Sequence, residues 1–245
     1  MSEELSRQQG TPAAAEFPHF GQEAHLQGIR SWGIRRLAAR PGDQNGNPLS
    51  SGGETKADLL DQMAAEVASC QLCPLCESRN LTAFGVGDPD AELMFVGEAP
   101  GHEEDRRGEP FVGRAGQLLD RIIAALGLRR EQVYIANVLK CRPPQNRDPQ
   151  PNETESCRSY LERQIQLIQP RMLVALGRPA SCWLTGQETS LARLRGKLHD
   201  WQGIPVLATY HPAFLLRQEQ YKAACWQDFQ LVIERLDLTP VRGRG

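Results

Sequence analysis

Four kinds of residue in this chain are suited to chemistry: paired cysteines, a loop rich in glycine and carboxylates, an asparagine closing one apolar run and a histidine following another. Two residues separate Cys70 from Cys73 and fifteen separate Cys141 from Cys157, so four thiols come from two distant segments. Soft thiolates suit zinc or an iron-sulfur cluster, and such a site would staple an N-terminal helix to a proline-rich segment. Four-cysteine zinc sites more often pair two short knuckles, so the wide second spacing counts against zinc. Cys76 extends the first pair into a ferredoxin-like run with three candidates for two places. Cys182 and Cys225 fall in apolar helical contexts and read as buried thiols.

The carboxylate-rich loop is GEAPGHEEDRRGEPFVGRAGQLLD, Gly97 to Asp120. It follows the apolar run Leu93-Met94-Phe95-Val96 and ends amphipathically, which reads as strand, loop and helix. A Gly/Pro-punctuated loop leaving the carboxyl end of a buried strand is where open α/β sheets place their ligand crevices. Its glycines fit neither G-x-G-x-x-G nor a Walker A motif, so nothing marks it as a nucleotide cradle.

The elements that position these residues follow from periodicity. Thr55 caps a helix whose apolar face is Leu59, Leu60, Met63, Ala64 and Val67, delivering Cys70 and Cys73. Strands are expected at 92–97, 133–139, 172–176 and 204–209, with FGVGDPDAEL as a turn-rich approach to the first. Leu118, Leu119, Ile122, Ile123 and Leu126 mark a helix ended by Gly127. CRPPQNRDPQPNE cannot be regular, because its prolines remove donors and fix φ. It reads as an excursion at the sheet edge, followed by a helix at 153–168 carrying Cys157. A short helix at 178–184 and a terminal helix at 218–236, burying Tyr221, Ala224, Cys225, Phe229 and Val232, complete the set. Strands alternating with helices imply an α/β fold, a parallel sheet covered on both faces.

A formal charge of -2 over 245 residues leaves no global basic footprint, so a nucleic-acid partner would need a local patch. Lys140, Arg142 and Arg147, beside Cys141, are candidates to reach phosphates. No apolar run is long enough to span a membrane, and MSEELSRQQG lacks a signal-peptide core, so the chain reads as cytoplasmic and without membrane association; a monomer is expected. Seven cysteines in such a compartment point to metal, reactive or buried thiols rather than disulfides. The domain is expected at 56–238, after an arm at 1–55 whose composition cannot sustain a core and before a short tail at 239–245. Within the arm, Ile29, Trp32, Ile34 and Leu37 with Arg30, Arg35, Arg36 and Arg40 form either a basic amphipathic helix or part of a solvated tail.

GEAPG-x-x-ED followed by G-x-PFVG-x-AG-x-LL, together with YHPAFLLR, resembles the motifs of the family 4 uracil-DNA glycosylases, the thermostable iron-sulfur type, over about residues 57–236. The resemblance implies an α/β/α sandwich around a four-stranded parallel sheet. It also implies a [4Fe-4S] cluster on Cys70, Cys73, Cys141 and Cys157, and an enzyme that cuts uracil from single- or double-stranded DNA and leaves an abasic site. Gly97, Ala99, Phe111 and Asn137 would form the base pocket, Phe111 stacking the base and Asn137 reading it. His211 would donate to uracil O2. One of Phe214, Leu215 and Leu216 would fill the vacated stack, and Arg217 would contact phosphate.

Relatives in family 1 carry an aspartate where this chain has Ala99, so Glu98 and Glu104 are the candidates for positioning water or excluding thymine's methyl group, with backbone carbonyls able to share the work. Glu103, Asp105 and Glu109 read as surface carboxylates. Two rival readings follow from the same residues. One is an iron-sulfur or zinc DNA-binding protein without catalysis, against which Phe111, Asn137 and His211 argue. The other is a variant glycosylase that crosslinks to its product, whose Arg- and His-bearing insertion TYHPAFLLR lacks. No lysine is placed for Schiff-base strand cleavage.

Overall fold

The computed structural model describes residues 54–241. The rest of the expected arm and tail, with the Ile29 to Arg40 cluster, lies outside the described residues. Thr55 caps the first helix, α1 (Lys56–Ala68), through a reciprocal pair of bonds with Asp58. Its buried face is Leu60, Met63 and Val67, the helical spacing read from the sequence.

The sheet has six strands in the order β1-β3-β2-β4-β6-β5. Its centre is the parallel set β3 (Tyr134–Asn137), β2 (Leu93–Gly97), β4 (Met172–Leu176) and β6 (Ile204–Thr209), the four strands expected. The four-stranded parallel sheet is extended to a mixed six-stranded one by the antiparallel edges β1 (Val86–Gly87) and β5 (Leu198–Trp201). β1 is two residues long inside the turn-rich approach and leaves no periodic trace. β5 joins β6 through Gln202-Gly203, with φ of 49° and 90°, a two-residue turn whose positive φ values match strand twist. That turn was a legible hairpin signal.

Alternation along the strands divides the core between two faces. Met94, Val96, Ala136, Leu173 and Val206 meet α1, α4 (Pro151–Ile168) and α5 (Arg178–Thr185). Leu93, Phe95, Ile135, Val174 and Leu207 meet α3 (Arg114–Ala125), α7 (Pro212–Leu215) and α8 (Lys222–Leu236). Two short helices, α2 (His102–Arg107) and α6 (Leu191–Leu194), complete the elements. Tyr221, expected in the core, precedes α8 in a 3-10 turn and is 38% exposed. Helical spacing was extended too far back, past the turn that reorients the chain. Asp105, expected at the surface, is buried and accepts from the Asn80 backbone and side-chain amides, fastening α2 to the segment after the cysteines.

Candidate active site

The sheet order reverses between β2 and β4, where α/β sheets open a crevice beyond the strand ends. Here the crevice is about 400 Å³ and brings together Glu98, Ala99, Glu104, Phe111, Asn137, His211 and Arg217, which sequence placed in three separate segments. Gly97, just before its lining begins, packs against Phe111 and Asn137. A Cβ there would come within 2.6 Å of Phe111 Cζ and would also strike Asn137 Oδ1, so only glycine lets reader and ring close over the strand end.

Phe111 adopts a left-handed φ of 55°, and its carbonyl occupies the space a side chain at position 116 would need. Gly116 is therefore required by the loop that presents the ring. The Phe111 ring lies 5.5 Å from the His211 ring at 30°. Asn137 closes β3 fully buried, and its Oδ1 has no hydrogen-bond partner among the described residues. An orphaned buried acceptor is costly unless a ligand completes it.

His211 caps α7, its Nδ1 accepting from Ala213 N–H at 3.1 Å. That bond leaves the proton of a neutral ring on Nε2. Burial, then the nearby Arg217 guanidinium, pushes the imidazole down to about 4, against an opposing pull from Glu104. Gly177, with φ of 89°, packs at the end of β4 where a Cβ would lie 3.1 Å from His211 Cβ. Sequence reasoning passed over this glycine; a Gly directly after a buried strand was the available signal. Behind the histidine, Thr209 donates to Asp228 at 2.7 Å, and Arg195 pairs with Asp228 at 2.9 Å. The Arg195 guanidinium sits 4.4 Å over the Tyr210 ring, which stacks on Phe214 at 5.3 Å.

The two candidate carboxylates differ. Glu104 is engaged by three backbone amides, accepting from Gly101, Val112 and Gly113 N–H at 3.1, 2.9 and 2.9 Å. It braces the loop. Glu98 makes no comparable set, and burial, then the charge of Asp148, raises its proton affinity. Asp148 comes from the proline-rich excursion, lines the crevice and was missed in the sequence reading. Of the three wedge candidates, Leu215 is fully buried in the core, whereas Phe214 and Leu216 are half-buried. Leu215 is removed as a wedge by the helical turn that points it inward. Arg217 is exposed at the mouth.

A model of the uracil DNA glycosylase superfamily matches residues 84–230. A type-4 uracil-DNA glycosylase of Archaeoglobus fulgidus is 45% identical over 72% of this chain and 93% of its own length. One from Thermotoga maritima is 46% identical over 66% and 86%. A type-5 enzyme of Pyrobaculum aerophilum is 34% identical over 52% and 63%. The chain belongs to the type-4 uracil-DNA glycosylases.

The four thiols that this family resemblance singled out also converge. Cys70, Cys73, Cys141 and Cys157 line one cavity with Val67, Arg79, Lys140 and Tyr160, whereas Cys76 does not line it. Among the described residues no group of His, Cys, Asp and Glu is drawn tightly enough to hold a single ion. A tetrahedral ion bound at about 2.3 Å would hold sulfurs roughly 3.8 Å apart, whereas a four-iron cluster is wider and holds them further apart. Burial raises the proton affinity of Cys73 and Cys157, and of Cys141 to about 11; repulsion among the thiolates adds to each. Such thiols stay protonated at neutral pH, and a bound metal would have to displace those protons. Arg79, which the sequence reading missed, donates to Cys141 Sγ at 3.2 Å and to the carbonyls of Ala68 and Cys70 at 3.1 and 2.8 Å. No spacing rule marks it.

Lys140, expected to reach phosphates, is instead fully buried, and Arg147 is paired with Glu153. Cys182 and Cys225 are buried thiols, as their apolar contexts implied. Among the described residues no helix is long and apolar enough to cross a membrane.

Proposed function

We propose that this chain is a monofunctional uracil-DNA glycosylase, acting as a monomer in the cytoplasm on uracil in single- or double-stranded DNA. The observation that carries this reading is the buried, unpartnered Oδ1 of Asn137 in a crevice lined by Phe111 and His211. A base reaches such a crevice only when flipped from the stack. Uracil offers N3–H to the Asn137 oxygen and O4 to its amide nitrogen, whereas cytosine presents the opposite pattern. Phe111 supplies the stacking face.

Hydrolysis breaks the C1′–N1 bond while water oxygen bonds to C1′, and the electron pair leaves with the base as an anion. His211 Nε2–H donates to O2, where that charge collects. A neutral donor needs no proton transfer for this task. Glu98 positions the attacking water and accepts its proton; Glu104 holds the loop. Arg217 contacts a phosphate, and Phe214 or Leu216 fills the vacated stack.

Cys70, Cys73, Cys141 and Cys157 hold a [4Fe-4S] cluster, which ties α1 to the segment after β3 and to α4. The cluster contributes structure and takes no part in the reaction derived above. Incubating the protein with uracil-containing oligonucleotides, single- and double-stranded, tests the reading. Release of free uracil is expected, with strand breaks only after alkali. Strand breaks before alkali would remove the monofunctional assignment, and intact uracil would remove the function.

A further inference from the structure

Lys140 sits where no DNA-binding or catalytic role reaches it. Its side chain is fully buried, and Nζ donates to the Asn137 carbonyl at 2.8 Å and to Gln164 Oε1. Both acceptors are neutral, an expensive environment for a lysine head unless it does something specific. Gln164, also fully buried, donates in turn to the Phe84 carbonyl at 3.0 Å and to Tyr134 OH at 3.1 Å. It lies on α4 seven residues after Cys157, about two helical turns along the same face. Lys140 also lines the thiol cavity.

We propose that Lys140 and Gln164 are positioning residues for Asn137, indexing the end of β3 to the helix that carries Cys157. This rests on the reading of Asn137 as the uracil reader. The carboxamide of Asn137 must meet two opposed groups on the base, so its backbone has to be held in both translation and rotation. β1 pairs with β3 only at Tyr134 and Ile135, leaving Asn137 beyond its reach. The lysine supplies a cross-tie there, from three residues downstream back to the Asn137 carbonyl. Gln164 anchors the far end of that tie to a long helix and, through its own donors, to the strand and the chain entering β1. Displacing the reader therefore breaks hydrogen bonds that have no water to replace them.

The test uses full-length Lys140→Met and Gln164→Leu proteins, which keep approximate side-chain volume and remove the tie at either end. Three quantities are read: kcat on uracil-DNA, inhibition by free uracil, and affinity for abasic-site DNA. In Lys140→Met, kcat falls and the inhibition constant of free uracil rises, each by at least about tenfold, while abasic-DNA affinity stays within about twofold. Gln164→Leu shifts the first two in the same direction by less, because the bond to Asn137 survives. Iron content and melting temperature report the thiol site and the fold separately. A folded variant with wild-type kcat and uracil inhibition overturns the proposal. Parallel loss of abasic-DNA binding, or failure of both variants to fold, shows a structural role only and overturns it as well. Wild-type protein that releases no uracil would instead refute the proposed function, a failure visible before any variant is made.

Discussion

Gly97→Ala adds one methyl group at the point where the reader and the stacking ring meet. The added Cβ would lie 2.6 and 2.7 Å from Phe111 Cζ and Cε2 and would also press on Asn137 Oδ1. Carbon atoms settle at about 3.5–4.0 Å, so the ring must retreat by roughly 1 Å. Phe111 has little freedom to do so, since its left-handed backbone and its carbonyl are fixed against Gly116. Asn137 is held by the pairing of β3 with β2, where it stands opposite Gly97 itself. A misplacement of about 1 Å in a catalytic site costs on the order of 10²-fold, and that is the expected loss in single-turnover uracil release. Position 97 has no left-handed φ, so alanine brings no backbone penalty, and overpacking of about 1–3 kcal/mol leaves the protein folded. The assay follows alkali-labile sites in a uracil oligonucleotide under saturating enzyme, with melting temperature and binding to abasic-site DNA as controls. A folded Gly97→Ala protein whose excision rate stays within about threefold of wild type would refute this account of how the pocket is closed.

Asn137→Asp keeps an acceptor for N3–H but loses the donor to O4; a mismatched buried pair costs roughly 1–3 kcal/mol before the added penalty of an ionised carboxylate facing O4, so uracil release falls at least about tenfold, and an unchanged rate would unseat Asn137 as the reader. His211 stays neutral in the folded chain down to about 4 against an ordinary 6.5, so as pH falls through that window the unfolded chain protonates first and stability declines. Titration of its ring by NMR checks the value, and a midpoint near 6.5 would contradict the burial assigned to it. Cys141→Ala should lower both iron content and melting temperature, since it removes one corner of the staple; a folded protein with full iron would exclude Cys141 as a ligand. Leu215→Ala should cost about 2–5 kcal/mol of stability as a core truncation, and a protein that loses only DNA affinity would return Leu215 to the wedge.

Much of this protein was legible from order along the chain. Apolar periodicity located the four parallel strands and the helices between them, because each must bury a continuous or periodic face. The ends of α1 and α3 were legible as well, since Thr55 and Gly127 act through local backbone geometry that a few neighbouring residues determine. Residue types and spacing marked Phe111, Asn137, His211 and the cysteines as candidates. What they could not convey was anything set by contact between distant segments. The antiparallel edge β1 exists because β3, far along the chain, offers it free hydrogen bonds, and it is too short to announce itself, whereas β5 is a local hairpin with β6 that the Gln202-Gly203 turn made legible. Lys140 reads as a surface cation until Gln164 and the Asn137 carbonyl enclose it. Asp105 and Glu104 look alike in the loop, yet Asn80 holds one in the interior and three backbone amides engage the other, so that of the crevice carboxylates Glu98, beside Asp148, is the one not tied to the loop. The sequence alone determined which chemical groups this chain possesses and which elements carry them. Tertiary structure decided which of those groups remain unpaired, because pairing is a property of neighbours in space, and in the crevice the buried oxygen of Asn137 is left without a partner among the described residues.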